Sequence, residues 1–306
     1  MSKTSNNDDI NMYFWTDKGG RRHVAYGKAT HISPYDLSIG LSGKSPNSVK
    51  KNSHNGKLNP DRYKLHNQII MSYFNGHTPY GANDKKIAYF TGGGTASGKG
   101  TFSHNISEYY SKDDNPVIID PDDIKEKLIA ADGKVMNDWN TKYYHAESKL
   151  ISDRLFEISA QNNYPTLYDG TSVNFPTISS RLEYMKRLGY TTEMRFMTTD
   201  VNTVLDSSLD RYRKTGRLVS ITRALDTHKS AQTTAPKLFT ITDSMKLYSR
   251  KGNNVSLIAT GGKGKMNIKD QKVWDNFQKQ GEYDLSKDAY NAYMDKYNSI
   301  KKERGD

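Results

Sequence analysis

The chain has 306 residues, of which 34% are hydrophobic, a net charge of +11 and no cysteine. That length suits one large domain or two small ones, and the lack of cysteine excludes disulfides, thiolate catalysis and thiolate zinc sites. No apolar run is long enough to cross a bilayer, and the opening Met-Ser-Lys-Thr-Ser-Asn-Asn-Asp-Asp lacks a signal-peptide pattern, so a soluble cytoplasmic α/β protein is expected.

In chain order, residues 1–10 read as a mobile tail. Short β-prone pieces follow at Met12–Trp15 and His23–Tyr26. Gly43-Lys44-Ser45 imitates the end of a phosphate loop, but Ser38 stands where the first glycine belongs and no strand leads in. Asn59-Pro60-Asp61 starts a helix expected to run through Phe74 and to stop before Gly76 and Pro79. Residues 1–84 are therefore expected to form a tail and an accessory lobe, and residues 85–306 the main domain.

From Lys85 the signal sharpens. Ile87-Ala88-Tyr89-Phe90 is a β-prone run that enters Gly92-Gly93-Gly94-Thr95-Ala96-Ser97-Gly98-Lys99-Gly100-Thr101, after which a helix can begin. Strand, glycine loop and helix are the context of a P-loop, and Gly93, Gly98 and Lys99 fit its spacing. Glycines let successive N–H groups curl round a phosphate, and the helix N-terminus favours negative charge. Gly93 through Thr101 are thus the expected nucleotide cradle, with Lys99 against the phosphates. The usual hydroxyl residue after the lysine is Gly100, and the hydroxyl comes one place later at Thr101, the expected Mg2+ contact, direct or through water.

Next, Val117-Ile118-Ile119 reads as a buried strand that ends in Asp120-Pro121-Asp122-Asp123 at a helix start, where ligands of open α/β sheets bind. Asp122 is the candidate base, Asp120 a neighbouring site residue and Asp123 the expected helix cap. A helix is expected over Tyr143–Gln161, a strand over Thr166–Tyr168 ending in Asp169-Gly170-Thr171, a helix over Ile178–Leu188 and a strand over Thr192–Thr198. Asp200 to about Thr215 is helical and carries Arg211, and Gly216-Arg217 opens a basic segment that reaches Arg223. Met245–Tyr248 and Val255–Ala259 are strands around a turn, Gly261–Lys265 is expected as a flexible basic loop, and the chain then turns helical over Trp274–Phe277 and Leu285–Tyr297. The alternation predicts a mostly parallel sheet flanked by helices, the α/β P-loop kinase fold with an N-terminal extension.

Phosphoryl transfer to an alcohol needs a phosphate cradle, Mg2+, a carboxylate for the hydroxyl and cations on the transferring group. The P-loop, Asp122 and the pair Arg211 and Arg217 supply candidates. In order, the P-loop, Ile119-Asp120-Pro121-Asp122-Asp123-Ile124-Lys125, His145-Ala146-Glu147-Ser148, Tyr168-Asp169-Gly170-Thr171, Arg211 and Gly216-Arg217-Leu218-Val219 resemble the zeta-toxin family of small-molecule kinases. The resemblance covers about Lys85 to Ile258. It implies ATP- or GTP-dependent phosphorylation of the 3'-hydroxyl of UDP-N-acetylglucosamine, Asp122 as base, Lys99, Arg211 and Arg217 on the phosphates, and Glu147, Asp169 and Thr171 on the sugar nucleotide. It also implies an antitoxin as a possible protein partner. Gly100, Val173 and Ser220 depart from the family's pattern. The alternatives are another P-loop kinase acting on a nucleoside, a cofactor or a polynucleotide 5'-hydroxyl, and a non-catalytic nucleotide-binding scaffold. The charge of +11 leaves room for nucleic acid. Its lysines are scattered, however, without a basic helix or an RNA-binding aromatic motif.

Overall fold

The alternation of apolar runs and capped helices appears in the computed structural model, which describes residues 13–16, 22–25, 37–42, 44–100, 114–280 and 285–305. The elements begin with β1 (Tyr13–Thr16), β2 (Arg22–Ala25), α1 (Ser38–Leu41), α2 (Ser48–Lys51), β3 (Ser53–His54), β4 (Lys57–Leu58) and α3 (Pro60–Ser72). There follow β5 (Ile87–Gly92), β6 (Val117–Ile119), α4 (Pro121–Ala131), α5 (Asp138–Tyr143), α6 (His145–Gln161), β7 (Thr166–Tyr168), α7 (Phe175–Arg187) and β8 (Thr191–Thr199). The remainder is α8 (Val201–Thr215), α9 (Ile221–Ile241), β9 (Ser244–Lys251), β10 (Asn254–Gly262), β11 (Lys265–Ile268), α10 (Gln271–Lys279) and α11 (Lys287–Arg304).

Seven strands form one sheet in the order β11-β10-β9-β8-β5-β7-β6. β5 lies parallel to β8 with Ile87 opposite Thr191, and β8 parallel to β9 with Glu193 opposite Ser244. β9, β10 and β11 run antiparallel to one another. This is the expected mixed α/β architecture with a mostly parallel sheet. The tail expected over residues 1–10 lies outside the described residues.

By its contacts the chain divides into two compact units. The first comprises Met1–Lys86, Ser111–Val135 and Trp139–Leu167. Within it α4 packs on α6. Ile124, Leu128 and Ile129 on α4 and Leu150, Ile151, Leu155 and Ile158 on α6 are buried at helical spacing. Leu37 and Val49 share a core cluster with Leu150, which ties the early helical turns to α6. Ser38–Leu41 is helical, so no strand leads into Gly43-Lys44-Ser45, as expected.

The second unit comprises Ile87–Tyr110, Met136–Asp138 and Tyr168–Asp306. β5 is buried from Ala88 to Gly92. Tyr89 and Phe90 are almost fully enclosed, each a burial of about 1.5–3 kcal/mol for a large apolar side chain. α8 and α11 build a second cluster from Val201, Leu205, Leu209, Tyr212, Tyr293 and Ile300.

Two local expectations need correction. The helix expected over Tyr143–Gln161 forms as α6 but starts at His145, because Tyr143 ends the separate short helix α5. Gly261–Lys265 is not a loose loop but the end of β10 and a tight turn into β11, where Lys263 N–H donates to Thr242 O at 2.8 Å and Gly264 N–H to Phe239 O at 3.1 Å. Beyond Arg217 the basic segment continues as the 21-residue helix α9, which no sequence expectation covers; it buries Ala224, Thr227, His228, Ala231, Thr234, Ala235, Leu238 and Phe239 and carries Pro236 inside it.

Candidate active site

The glycine loop follows β5 directly, and each glycine has its own reason. Gly93 has φ +129°, and a Cβ there would lie 2.1 Å from Met197 O, a backbone atom that cannot give way. A Cβ on Gly94 would lie 2.3 Å from His228 Nε2. Lys99 folds back along the loop, its Nζ donating to Gly93 O at 3.1 Å and Gly94 O at 2.8 Å. The loop is thus closed on the ammonium group of its own lysine. Gly100 is the last described residue of this segment, and Thr101 lies outside the described residues.

α9 holds the crown of the loop. Thr95 N–H donates to Thr227 Oγ1 at 3.0 Å, and His228 Nε2 lies 3.0 Å from Thr95 O. A carbonyl only accepts, so Nε2 carries the proton. Burial pushes the His228 pKa down and the nearby Lys99 charge adds to this, so the ring is the neutral donor. Arg250, at the end of β9, donates to Ser207 Oγ of α8 at 2.8 Å and to Ala96 O at 3.4 Å. Its Cδ lies 2.8 Å from where a Gly98 Cβ would be. No local sequence pattern marks Thr227, His228 or Arg250, because each contacts the loop across more than a hundred residues. Gly94→Ala would drive a methyl group into the buried His228, an overpacking of about 1–3 kcal/mol. The expected result is about a tenfold weaker ATP Kd by calorimetry, with the fold retained.

The segment after β7 is bound to the end of β5. Thr91 Oγ1 donates to Asp169 Oδ1 at 2.6 Å, Gly170 N–H donates to Thr91 Oγ1 at 3.0 Å, and Ser172 Oγ donates to Thr91 O at 2.6 Å. Gly93 N–H donates to Thr171 O at 2.8 Å. Asp169 and Thr171 are therefore held directly beside the start of the phosphate loop. Val173 contributes its carbonyl, which accepts from Thr234 Oγ1 at 2.9 Å.

Arg211 lies in the last turns of α8, half-buried, and Arg217 follows the left-handed Gly216 that ends this helix. Ser208 Oγ donates to Val219 O at 3.1 Å and accepts from Val219 N–H at 3.3 Å, so the connection after Arg217 is pinned. Ser220 caps α9 by accepting from Arg223 N–H at 3.2 Å, which gives this departure from the family pattern a structural use.

The acids of the first unit sort into different roles. Asp120, not the expected Asp123, is the side-chain cap of α4, accepting from Asp122 N–H at 2.7 Å. Pro121 at the first helical position makes this the natural start, since its missing N–H would have gone unpaired there. Asp123 instead pairs with Tyr73 Oη and Lys127. Asp122 stands in the first turn with its side chain 41% exposed, and the buried Lys125 donates to its Oδ1 at 2.8 Å. That contact orients the carboxylate while leaving it open to solvent on one side.

Glu147 is in a different situation. It is 0% exposed, and its carboxylate accepts from Arg62 Nε and Nη2 (the latter at 2.9 Å) and from His66 Nε2 at 2.7 Å. Arg62 also reaches Asp132 Oδ1 at 2.6 Å. Burial would raise the Glu147 pKa, but His66 and Arg62 hold it well below the usual carboxylate range. The acceptor contact expected at Glu147 thus meets a carboxylate already enclosed by two residues of α3.

Among the described residues, no group of three or more His, Cys, Asp or Glu side chains could hold a metal ion. No described helix is long and apolar enough to cross a membrane.

The family model for zeta toxins matches residues 71–263. Among solved structures, a chain of the AvrRxo1-ORF1:AvrRxo1-ORF2 complex with sulphate ions is similar at 13% identity, over 85% of this chain and 92% of that one, with a TM-score of 0.62. A chain of the same complex with ATP is 12% identical over 85% of this chain and 91% of that one, with a TM-score of 0.62. A chain of the PezAT chromosomal toxin–antitoxin system of Streptococcus pneumoniae is 19% identical over 80% of this chain and 98% of that one, with a TM-score of 0.56. At such identities the likeness is one of fold. No curated protein matches the sequence.

Proposed function

The chain belongs to the zeta toxin family, and we propose that it is a kinase that transfers the γ-phosphoryl group of ATP or GTP to the 3'-hydroxyl of UDP-N-acetylglucosamine. The observation that carries the reading is the glycine loop after β5, closed on Lys99 and lying within the family-matched span. The glycines leave room for phosphate where side chains would intrude, and Lys99 supplies the cation, so the loop suits a nucleotide. Mg2+ would come with the nucleotide's phosphates and neutralise their charge, since it binds commonly through substrate phosphates and few protein ligands.

In this reading Asp122 is the general base, oriented by Lys125, and Asp120 supports it as the cap of α4. Arg211 and Arg217 stabilise the transferring group, and Asp169 and Thr171 hold the sugar nucleotide. Glu147 holds α3 to α6 through its contacts with Arg62 and His66. The family membership and the toxin–antitoxin system among the similar structures support an antitoxin protein as partner. The site of action is the cytoplasm, where nucleotide and sugar nucleotide occur together.

The test is phosphoryl transfer from ATP with Mg2+ over a panel of UDP-sugars, nucleosides, NAD and a 5'-hydroxyl oligonucleotide, with Lys99→Ala as the blank and mass spectrometry to locate the phosphate. Phosphate on UDP-N-acetylglucosamine is the expected product. With that acceptor, Thr171→Ala should raise KM about tenfold by removing one hydrogen bond from binding. Transfer to another panel member would keep the kinase and overturn the acceptor, and strong salt dependence with the oligonucleotide would point to nucleic acid.

A further inference from the structure

The arginine turn after α8 is bounded by a helix outside the family-matched span. Gly216 adopts φ +73°, and its N–H donates to Tyr212 O at 2.8 Å, closing α8 in a left-handed cap. Three residues before Gly216, the carbonyl of Arg213 is one of those that a helix end leaves without an internal donor. Arg304 Nη1, from the end of α11, donates to it at 2.9 Å. The Arg304 guanidinium also lies over the Tyr212 ring, with Cζ 5.3 Å from the centroid. Its Nη2 occupies the space beside Gly216, 2.6 Å from where a Cβ would be. Met136 O closes the other side at 3.4 Å from that position.

The same helix anchors the turn by packing. Leu218, the residue after Arg217, packs against the cluster formed by Leu209, Tyr212, Tyr293 and Ile300. Glu303 lies 3.4 Å from Arg213 Nε. With Ser208 pinning Val219, the backbone on both sides of Arg217 is tied down.

We infer that Arg304 is a positioning residue for Arg217: it caps α8, fills the space beside Gly216 and so fixes the turn from which the arginine projects. The inference rests on the proposed role of Arg217 at the transferring phosphoryl group. An arginine that acts on a transition state is sensitive to displacement, because a shift of about 1 Å in a catalytic group can lower a rate a hundredfold. α11 is thereby a part of the catalytic apparatus that touches no substrate. Arg304→Lys keeps the charge but lacks the planar fork that reaches a carbonyl and covers a ring together.

The experiment compares the full chain with Arg304→Ala, Arg304→Lys, Arg217→Ala and the double variant Arg217→Ala/Arg304→Ala. The readouts are transfer to UDP-N-acetylglucosamine, basal ATP hydrolysis without acceptor, ATP affinity, and amide hydrogen exchange over residues 213–219. The expected result is a kcat about tenfold lower in Arg304→Ala, ATP affinity within twofold, faster exchange confined to 213–219, and no further loss when the change is added to Arg217→Ala. Full rates in Arg304→Ala, unchanged exchange over 213–219, or losses that multiply in the double variant would overturn it. If Arg217→Ala alone turned over like the wild type in both assays, the proposed role of Arg217 would fall, and this inference with it. Slower transfer in Arg217→Ala with multiplying losses would overturn only the inference.

Discussion

Asp122→Ala is expected to lower phosphoryl transfer by about 10²–10⁴-fold, the usual contribution of a positioned general base, while ATP affinity stays within a few-fold. The asymmetry follows from where the carboxylate stands. Asp122 is in the first turn of α4, its side chain 41% exposed and paired with the buried Lys125, away from the buried Ile124, Leu128 and Ile129 that form the core of the helix. A residue that acts on the acceptor hydroxyl in the transition state lowers kcat and kcat/KM together and spares nucleotide binding. The informative control is Asp120→Ala, one turn-start away. It removes the cap of α4 and is expected to cost about 0.5–2 kcal/mol of stability, with a far smaller loss of turnover. Transfer kinetics and thermal denaturation on the two variants measure this. Turnover in Asp122→Ala near the wild-type rate would remove it from the role of base.

The second large effect is on stability. Glu147→Ala is expected to destabilise the protein by about 3–5 kcal/mol, the range for breaking a buried ion pair by removing one partner. Arg62 and His66 are 6% and 0% exposed, so neither can turn to water when the carboxylate goes. Burial works against the Arg62 charge, but Glu147 and Asp132 outweigh it and raise its pKa. Burial pushes the His66 pKa down, which leaves it a neutral Nε2–H donor to the carboxylate. A double cycle with Arg62→Ala should give less than the sum of the single losses, because the two residues share one interaction. Urea titration measures all four species, and additive losses would show that the pair contributes nothing of its own.

The same group sets a pH dependence. Burial alone would raise the Glu147 pKa, yet its partners lower it to about 2. A carboxyl whose folded pKa is depressed binds fewer protons in the folded chain than in the unfolded one as the pH falls between the two values. Its stabilisation is therefore complete above the ordinary carboxylate pKa near 4.3. It is lost as the pH drops from there towards about 2. The wild type should lose stability over that window, and Glu147→Ala should lose less, by urea midpoints across the pH series.

What the sequence determined by itself was whatever rests on neighbours in the chain. The run Ile87–Phe90 before a glycine loop, and the Asp-Pro start after Val117–Ile119, specify a strand end and a helix start within a few residues, so β5, its loop, β6 and α4 were legible. The same holds for α8, where Asp200 at one end and Gly216 at the other supply a cap each. α9 was hidden because its buried stripe consists of alanine, threonine and histidine more than of large apolar groups, and Pro236 argues against a helix. Its helical state is decided by the sheet that it covers. That Asp120 and not Asp123 caps α4 follows from the local Asp-Pro pattern, since Pro121 takes the first helical position. Two further facts belong to the tertiary structure alone. Glu147 is enclosed by Arg62 and His66, 85 and 81 residues away in sequence. Arg304 braces a turn whose bonded carbonyl is 91 residues earlier. Side-chain type and spacing can nominate a charge for chemistry, but burial and partner decide whether it is exposed for that chemistry or held within the fold.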